Sequence, residues 1–158
     1  MFTIDHEFEI AAPAETVWQV ITDLDRYGEW NPFVVAAEST LQPGDEIRMR
    51  VKLIGPPQKQ VEVMTAYSEG EGFAYRMKPF PLGALASARH HHIESVGEGR
   101  SLYRSHFELR GWLAPVVRGL LGSPLQRGFD GMAEGIRRRA EALAAGEPSG
   151  FGERAHDR

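Results

Sequence analysis

Outside a helical stretch at 13–24, the apolar residues from Phe2 to Arg110 recur mainly at every second position, and from Pro115 onward they recur at every third or fourth. A period of two puts side chains on alternate faces of a strand, whereas a period near 3.6 builds one face of a helix. The two-residue stretches are short and separated by Gly/Pro turns, as in an antiparallel meander. A chain that runs through such a meander and ends on one long helix is confined to the α+β class.

The first stretch sets Phe2, Ile4, His6, Phe8 and Ile10 on one face and Thr3, Asp5, Glu7 and Glu9 on the other. Pro13 ends it and suits the first position of a helix, and Glu15 in the first turn complements the helix dipole. Val17, Val20, Ile21 and Leu24 then share one apolar face, which predicts a helix over 13–24. Asp25 to Pro32 reads as a short helical turn and a loop, and Phe33 to Glu38 as a strand. Ile47, Met49, Val51 and Leu53 alternate with Glu46, Arg48, Arg50 and Lys52. Val61, Val63, Thr65 and Tyr67 alternate with Gln60, Glu62, Met64 and Ala66, which predicts the valine row as the inner one. Phe73, Tyr75 and Met77 follow, then a Pro79–Gly83 loop and two strands over about 86–96 and 100–111. Leu125, Phe129, Met132, Ile136, Ala140 and Leu143 mark a helix over about 115–145. Gly122-Ser123-Pro124 predicts a kink or break in it, because Pro124 cannot donate to residue 120. The tail, 146–158, is rich in Gly, Pro and charge and reads as disordered.

The 158 residues fit one domain, 1–145, with a sizeable core. The absence of cysteine excludes disulfides, thiolate catalysis and Cys-ligated metals. Eighteen Lys+Arg against 22 Asp+Glu, a net −4, argues against a general nucleic-acid or membrane-surface binder. No apolar run reaches the roughly 18 residues of a membrane span, and the N-terminus lacks the pattern of a signal peptide. The expectation is a cytoplasmic protein without integral membrane association or nucleic-acid partner; a homodimer is compatible with the sequence.

The element order resembles a known superfamily, as do the segments Ile10-Ala11-Ala12-Pro13-Ala14-Glu15-Thr16-Val17-Trp18 and Tyr27-Gly28-Glu29-Trp30-Asn31-Pro32-Phe33. It is similar to the polyketide cyclase/dehydrase-type proteins of the START-related, birch-pollen-allergen-like (SRPBCC) superfamily, over residues 2–145. The resemblance implies a helix-grip fold: a seven-stranded curved antiparallel sheet around a long C-terminal helix, with two short helices after strand 1. It also implies an apolar ligand cavity between sheet and helix. Members include carriers, receptors, aromatase/cyclases and co-chaperones, so the fold does not fix the function. Trp18, Trp30 and Pro32 read as packing and turn residues that build the container.

Strand parity nominates the polar residues facing such a cavity. His6 interrupts an apolar row. If Ile93 points inward, Arg89 and His91 follow it, and His90, His92 and Glu94 point out. Tyr103 and Ser105 share a face with Phe107, while Tyr67 and Tyr75 add inner hydroxyls. Phe129 and Met132 face them from the helix. Arg89 offers a fork of donors to a carboxylate or phenolate, and the histidines offer donors or an acid/base pair. The ligand-binding expectation is therefore Arg89, His91, Tyr103, His6, Tyr67, Tyr75, Phe129 and Met132, with no catalytic residue assigned. His90-His91-His92 puts only two imidazoles on one face, so no metal site and no cofactor are expected. The Gly-x-Gly pairs at 70/72 and 97/99 are hairpin turns, and Arg137-Arg138-Arg139 reads as a solvated helix face.

The function expected is a binding or carrier protein for an apolar, lipid-like or aromatic small molecule. The alternative is a cyclase/dehydrase- or aromatase-like enzyme using acid/base catalysis in the same cavity, with Arg89, His91, Tyr103 and His6 as candidates. A co-chaperone module would need an exposed apolar stripe, and none stands out in the sequence.

Overall fold

The computed structural model describes residues 1–146; the tail expected from Gly146 onward lies almost wholly outside the described residues. The order is β1 (Phe2–Ile10), α1 (Ala14–Thr22), a 3₁₀ turn at Leu24–Arg26, α2 (Tyr27–Trp30) and β2 (Val34–Ser39). Then come β3 (Glu46–Val51), β4 (Gln58–Ser68), β5 (Gly72–Met77), β6 (Ala86–Gly97), β7 (Arg100–Arg110) and α3 (Ala114–Ala144). All seven strands form one antiparallel sheet in the order β1-β7-β6-β5-β4-β3-β2. This is the helix-grip architecture, with α3 against the inner face.

The inner rows of β1, β3, β5, β6 and β7 follow the sequence parity. Ile4, Ile47, Met49, Phe73, Tyr75, Ile93, Tyr103, Phe107 and Leu109 are buried. The helix stripe meets them with Phe129, Met132, Ile136 and Ala140. Val17, Val20 and Ile21 of α1 close one end of this core.

β4 runs against the parity read from its valines. Val61 and Thr65 are exposed and Met64 is buried, so Gln60, Glu62 and Met64 share the inner face. The cause is a register shift between Met64 and Ala66 in the β4–β5 ladder. Met64 pairs with Tyr75 and Tyr67 pairs with Phe73, so two residues three apart both point inward. A bulge of this kind inserts one residue and flips the parity of everything before it.

The expected break in the C-terminal helix is absent. α3 runs unbroken through Pro124 for 31 residues. Pro124 removes only the bond to the carbonyl of Leu120, a residue that is largely exposed, so water can satisfy that group. The residues Leu125 and Phe129 beyond it pack against the core and anchor the helix there. Three glycines bring α3 close to the Trp30–Phe33 segment. A Cβ on Gly128 would lie 2.3 Å from the Phe33 ring, and one on Gly135 would lie 2.6 Å from the Trp30 carbonyl. Phe33 thereby reaches Phe129, with ring centroids 4.9 Å apart. Asn31 fixes that segment, because its Oδ1 accepts from the Phe33 N–H at 3.0 Å and from the Val34 N–H at 2.9 Å.

Candidate functional site

A cavity of about 350 Å³ lies between the β2–β6 half of the sheet and the N-terminal half of α3. Its walls are mainly apolar: Phe33, Met49, Val51 and Met77 on one side, Val117, Leu121, Leu125 and Phe129 on the other. Its polar lining is confined to the sheet, with Gln58, Gln60 and Glu62 on β4, Tyr75 on β5 and Ser87 and Arg89 on β6. Few placed polar groups in an apolar hollow is the usual anatomy of a small-molecule site.

Arg89 is the dominant group. It is opposite Tyr75 on one side and Phe107 on the other. Its side chain is buried, and its guanidinium lies over the Phe129 ring, 4.4 Å from the centroid. One terminal nitrogen donates to Met132 Sδ at 3.3 Å and the other to Ser105 Oγ at 3.4 Å. The thioether is a weak acceptor and the Ser105 contact is long, and Nε has no partner among the described residues. No carboxylate of the described residues lies within 4.0 Å of it, although other arginines of the chain are so paired. Arginine does not deprotonate in proteins. A buried guanidinium left this way is costly, and it improves on meeting an anion or a strong acceptor.

Behind Arg89 lies a second layer. His91 Nδ1 is 2.7 Å from the Tyr103 hydroxyl, while His91 Nε2 is buried without a partner among the described residues. Burial, with the Arg89 and His90 charges adding, holds His91 well below the ordinary histidine range. The ring is therefore neutral at pH 7. Burial pushes the Tyr75 hydroxyl up to about 12 and raises Tyr103 as well, in each case against the pull of Arg89. Both phenols stay protonated and can donate.

Glu62 lies on the same wall. Burial pushes its carboxyl up to about 7, opposed by a hydrogen bond with Gln60 and by the charge of Arg89. A carboxyl poised near neutrality in a cleft is able to hold or release a proton under working conditions.

Of the eight residues the sequence nominated, Arg89, Tyr75 and Phe129 line the cavity. His91, Tyr103 and Met132 stand in the layer behind Arg89. His6 is at the seam of sheet and helix, where Nε2 is 2.7 Å from Asp130 Oδ1. Tyr67 packs on Trp18 at a centroid distance of 5.6 Å, away from the cavity. Glu62, Gln60 and Ser87 were missed. For the first two the inverted parity of β4 is the reason. His90 and His92 are on the outer face, and among the described residues no group of three or more side chains is placed to hold a metal ion.

Fold and cavity together define a helix-grip protein with an apolar cavity between sheet and helix. The chain belongs to the family described as polyketide cyclase / dehydrase and lipid transport, whose model matches residues 1–141. Solved structures share the fold. The Zhui aromatase/cyclase from Streptomyces superposes with a TM-score of 0.71 at 18% identity, covering 93% of this chain and 99% of that one. A START superfamily protein from Mycobacterium smegmatis gives 0.68 at 19% identity, covering 89% and 98%. A norcoclaurine synthase from Thalictrum gives 0.63 at 18% identity, covering 87% and 92%. A comparison with curated proteins finds no match. No described helix is long and apolar enough to cross a membrane.

Proposed function

We propose that this protein binds an apolar small molecule that carries one acidic or strongly accepting group, such as a carboxylate, phenolate or enolate. The observation that carries the reading is Arg89: a buried guanidinium without a carboxylate partner at the end of an apolar cavity. The apolar body of the ligand packs among Phe33, Met49, Leu125 and Phe129, and its acceptor meets the Arg89 fork and the Tyr75 hydroxyl. Native mass spectrometry of protein purified without denaturant tests this. The expected result is a bound acidic or phenolic lipid-like or aromatic species in wild type and its loss in Arg89→Leu. A co-purified ligand that survives Arg89→Leu, or only neutral hydrocarbons, contradicts it.

The cyclase/dehydrase reading has one specific observation in its favour, the Glu62 carboxyl that titrates near pH 7 in the same cavity. There Glu62 would take a proton from the carbon next to a carbonyl, while Arg89 and Tyr75 hold the developing enolate oxygen. Deuterium exchange at the central carbon of an aromatic 1,3-diketone, followed by NMR, reads that step. Enhanced exchange that vanishes in Glu62→Gln supports catalysis; the buffer rate in wild type leaves binding alone.

A further inference from the structure

Three segments outside the strands line the cavity: the β3–β4 loop at Leu53, the β5–β6 loop at Phe80 and Leu85, and the early turns of α3 at Val117 and Leu121. Each also turns a large apolar side chain to solvent: Ile54 is 63% exposed, Leu82 92% and Leu120 74%. Trp112, 65% exposed, stands beside Leu82, because its Nε1 donates to the Leu82 carbonyl at 3.1 Å. Leu82 adopts φ 60°, a left-handed conformation that is unfavourable for a leucine. Single exposed apolar residues are ordinary, but a set gathered round one opening is not.

The charge in these segments is of one sign. The chain carries a net −4, yet residues 47–61, 73–93 and 109–129 contain, besides the buried Arg89, nine Arg and Lys and no Asp or Glu, although Arg48 is paired with Glu38 and Glu46. Lys52 and Arg127 line one surface hollow beside the β3–β4 loop, and Arg118 lies over Phe2 near the start of α3. None of these three cations has a carboxylate within 4.0 Å among the described residues, whereas Lys78 and Arg110 are paired. The net acidity of the chain, which argued against a membrane surface, therefore describes the rest of the molecule and not this rim.

We propose that the rim of the cavity is a docking surface for an anionic lipid bilayer. Apolar and tryptophan side chains enter the headgroup boundary, and unpaired Arg and Lys attract the negative leaflet. A fluid surface suits projections of uneven height on three separate segments, because it needs no matched shape. The docking does not depend on what the cavity holds. Binding of this kind is peripheral, reversible and weakened by salt.

The test is co-sedimentation of the full chain with phosphatidylcholine vesicles, with and without phosphatidylglycerol, at low and high salt. The expected result is binding to the anionic vesicles only. It should fall at least about tenfold in Leu82→Ser/Leu120→Ser and in Arg118→Glu/Arg127→Glu, and also at high salt. Arg89→Leu should bind the vesicles like wild type, which separates this surface from the cavity. The rim variants should keep the wild-type unfolding temperature and their uptake of the neutral dye N-phenyl-1-naphthylamine. Equal binding to both vesicles, or binding unchanged in both rim variants, overturns the proposal. So does absence of vesicle binding, including the case in which an immobilised acidic protein retains the chain instead.

Discussion

Arg89 and Glu62 line the cavity wall with a charge and with a carboxyl that titrates near neutrality, and each ties stability to function in a testable way. A buried charge without a carboxylate partner destabilises the fold that carries it. Arg89→Leu is expected to leave the protein as stable or more stable, by roughly 1–2 kcal/mol, while abolishing uptake of acidic ligands. Thermal unfolding and a binding titration on the same sample check both halves. Glu62 works through its proton. Its carboxyl titrates at about 7 in the fold, raised from an ordinary 4.5. A raised folded-state value means that the native protein holds the proton more tightly than the unfolded chain. The contribution is complete below about pH 4.5 and is lost as pH rises through about 7. Wild type should therefore lose roughly 2 kcal/mol between pH 5 and pH 8 relative to Glu62→Gln, a figure reduced for the residue's partial contact with water. His91 acts in the opposite sense: its depressed value makes stability fall as pH drops below about 6.5. Chemical denaturation of wild type and Glu62→Gln across this range isolates the Glu62 term.

At the scale of the elements, the sequence was most legible where strands alternate without interruption. β1 and the stretches of β6 and β7 away from the irregularity at Ser95–Gly97 keep strict alternation, so Arg89, His91 and Tyr103 could be aimed inward from parity alone. β4 alternates just as cleanly in the sequence, but an extra residue at Thr65 reverses its faces. Nothing local marks that bulge, and β-branched valines on a half-covered strand look like core residues whichever way they point. Glu62 was hidden for this reason. The helix break failed for a different one: propensity counts the lost bond at Pro124, while tertiary packing of Leu125 and Phe129 outweighs it. Pro124→Ala should accordingly stabilise the protein, by about 1–3 kcal/mol, because the helix is already formed there. Gly135→Ala should do the reverse despite alanine's better helix propensity. Its methyl would meet the Trp30 carbonyl at 2.6 Å, forcing α3 off the segment that positions Phe33. Paired unfolding curves of the two variants, expected to shift in opposite directions, check the account of how α3 is seated.

Across the whole molecule, the sheet and helix hold apart a space that close packing would otherwise fill. Part of the inner face is ordinary core: Ile47, Phe73, Met132 and Ile136 are buried and do not line this cavity. The hollow lies where β2 to β6, with the end of β7, meet the N-terminal half of α3. It ends at Arg89, beyond which the His91–Tyr103 layer closes the interior. The central claim is that this apolar space selects ligands through one buried cation. Its most direct test is a calorimetric titration of wild type and Arg89→Leu with two dyes of similar apolar body: anionic anilinonaphthalene sulfonate and neutral N-phenyl-1-naphthylamine. The account predicts that wild type prefers the anionic dye by at least about tenfold and that Arg89→Leu loses that preference while retaining the neutral one. Equal affinity of wild type for both dyes, or a preference unchanged by the substitution, would contradict it.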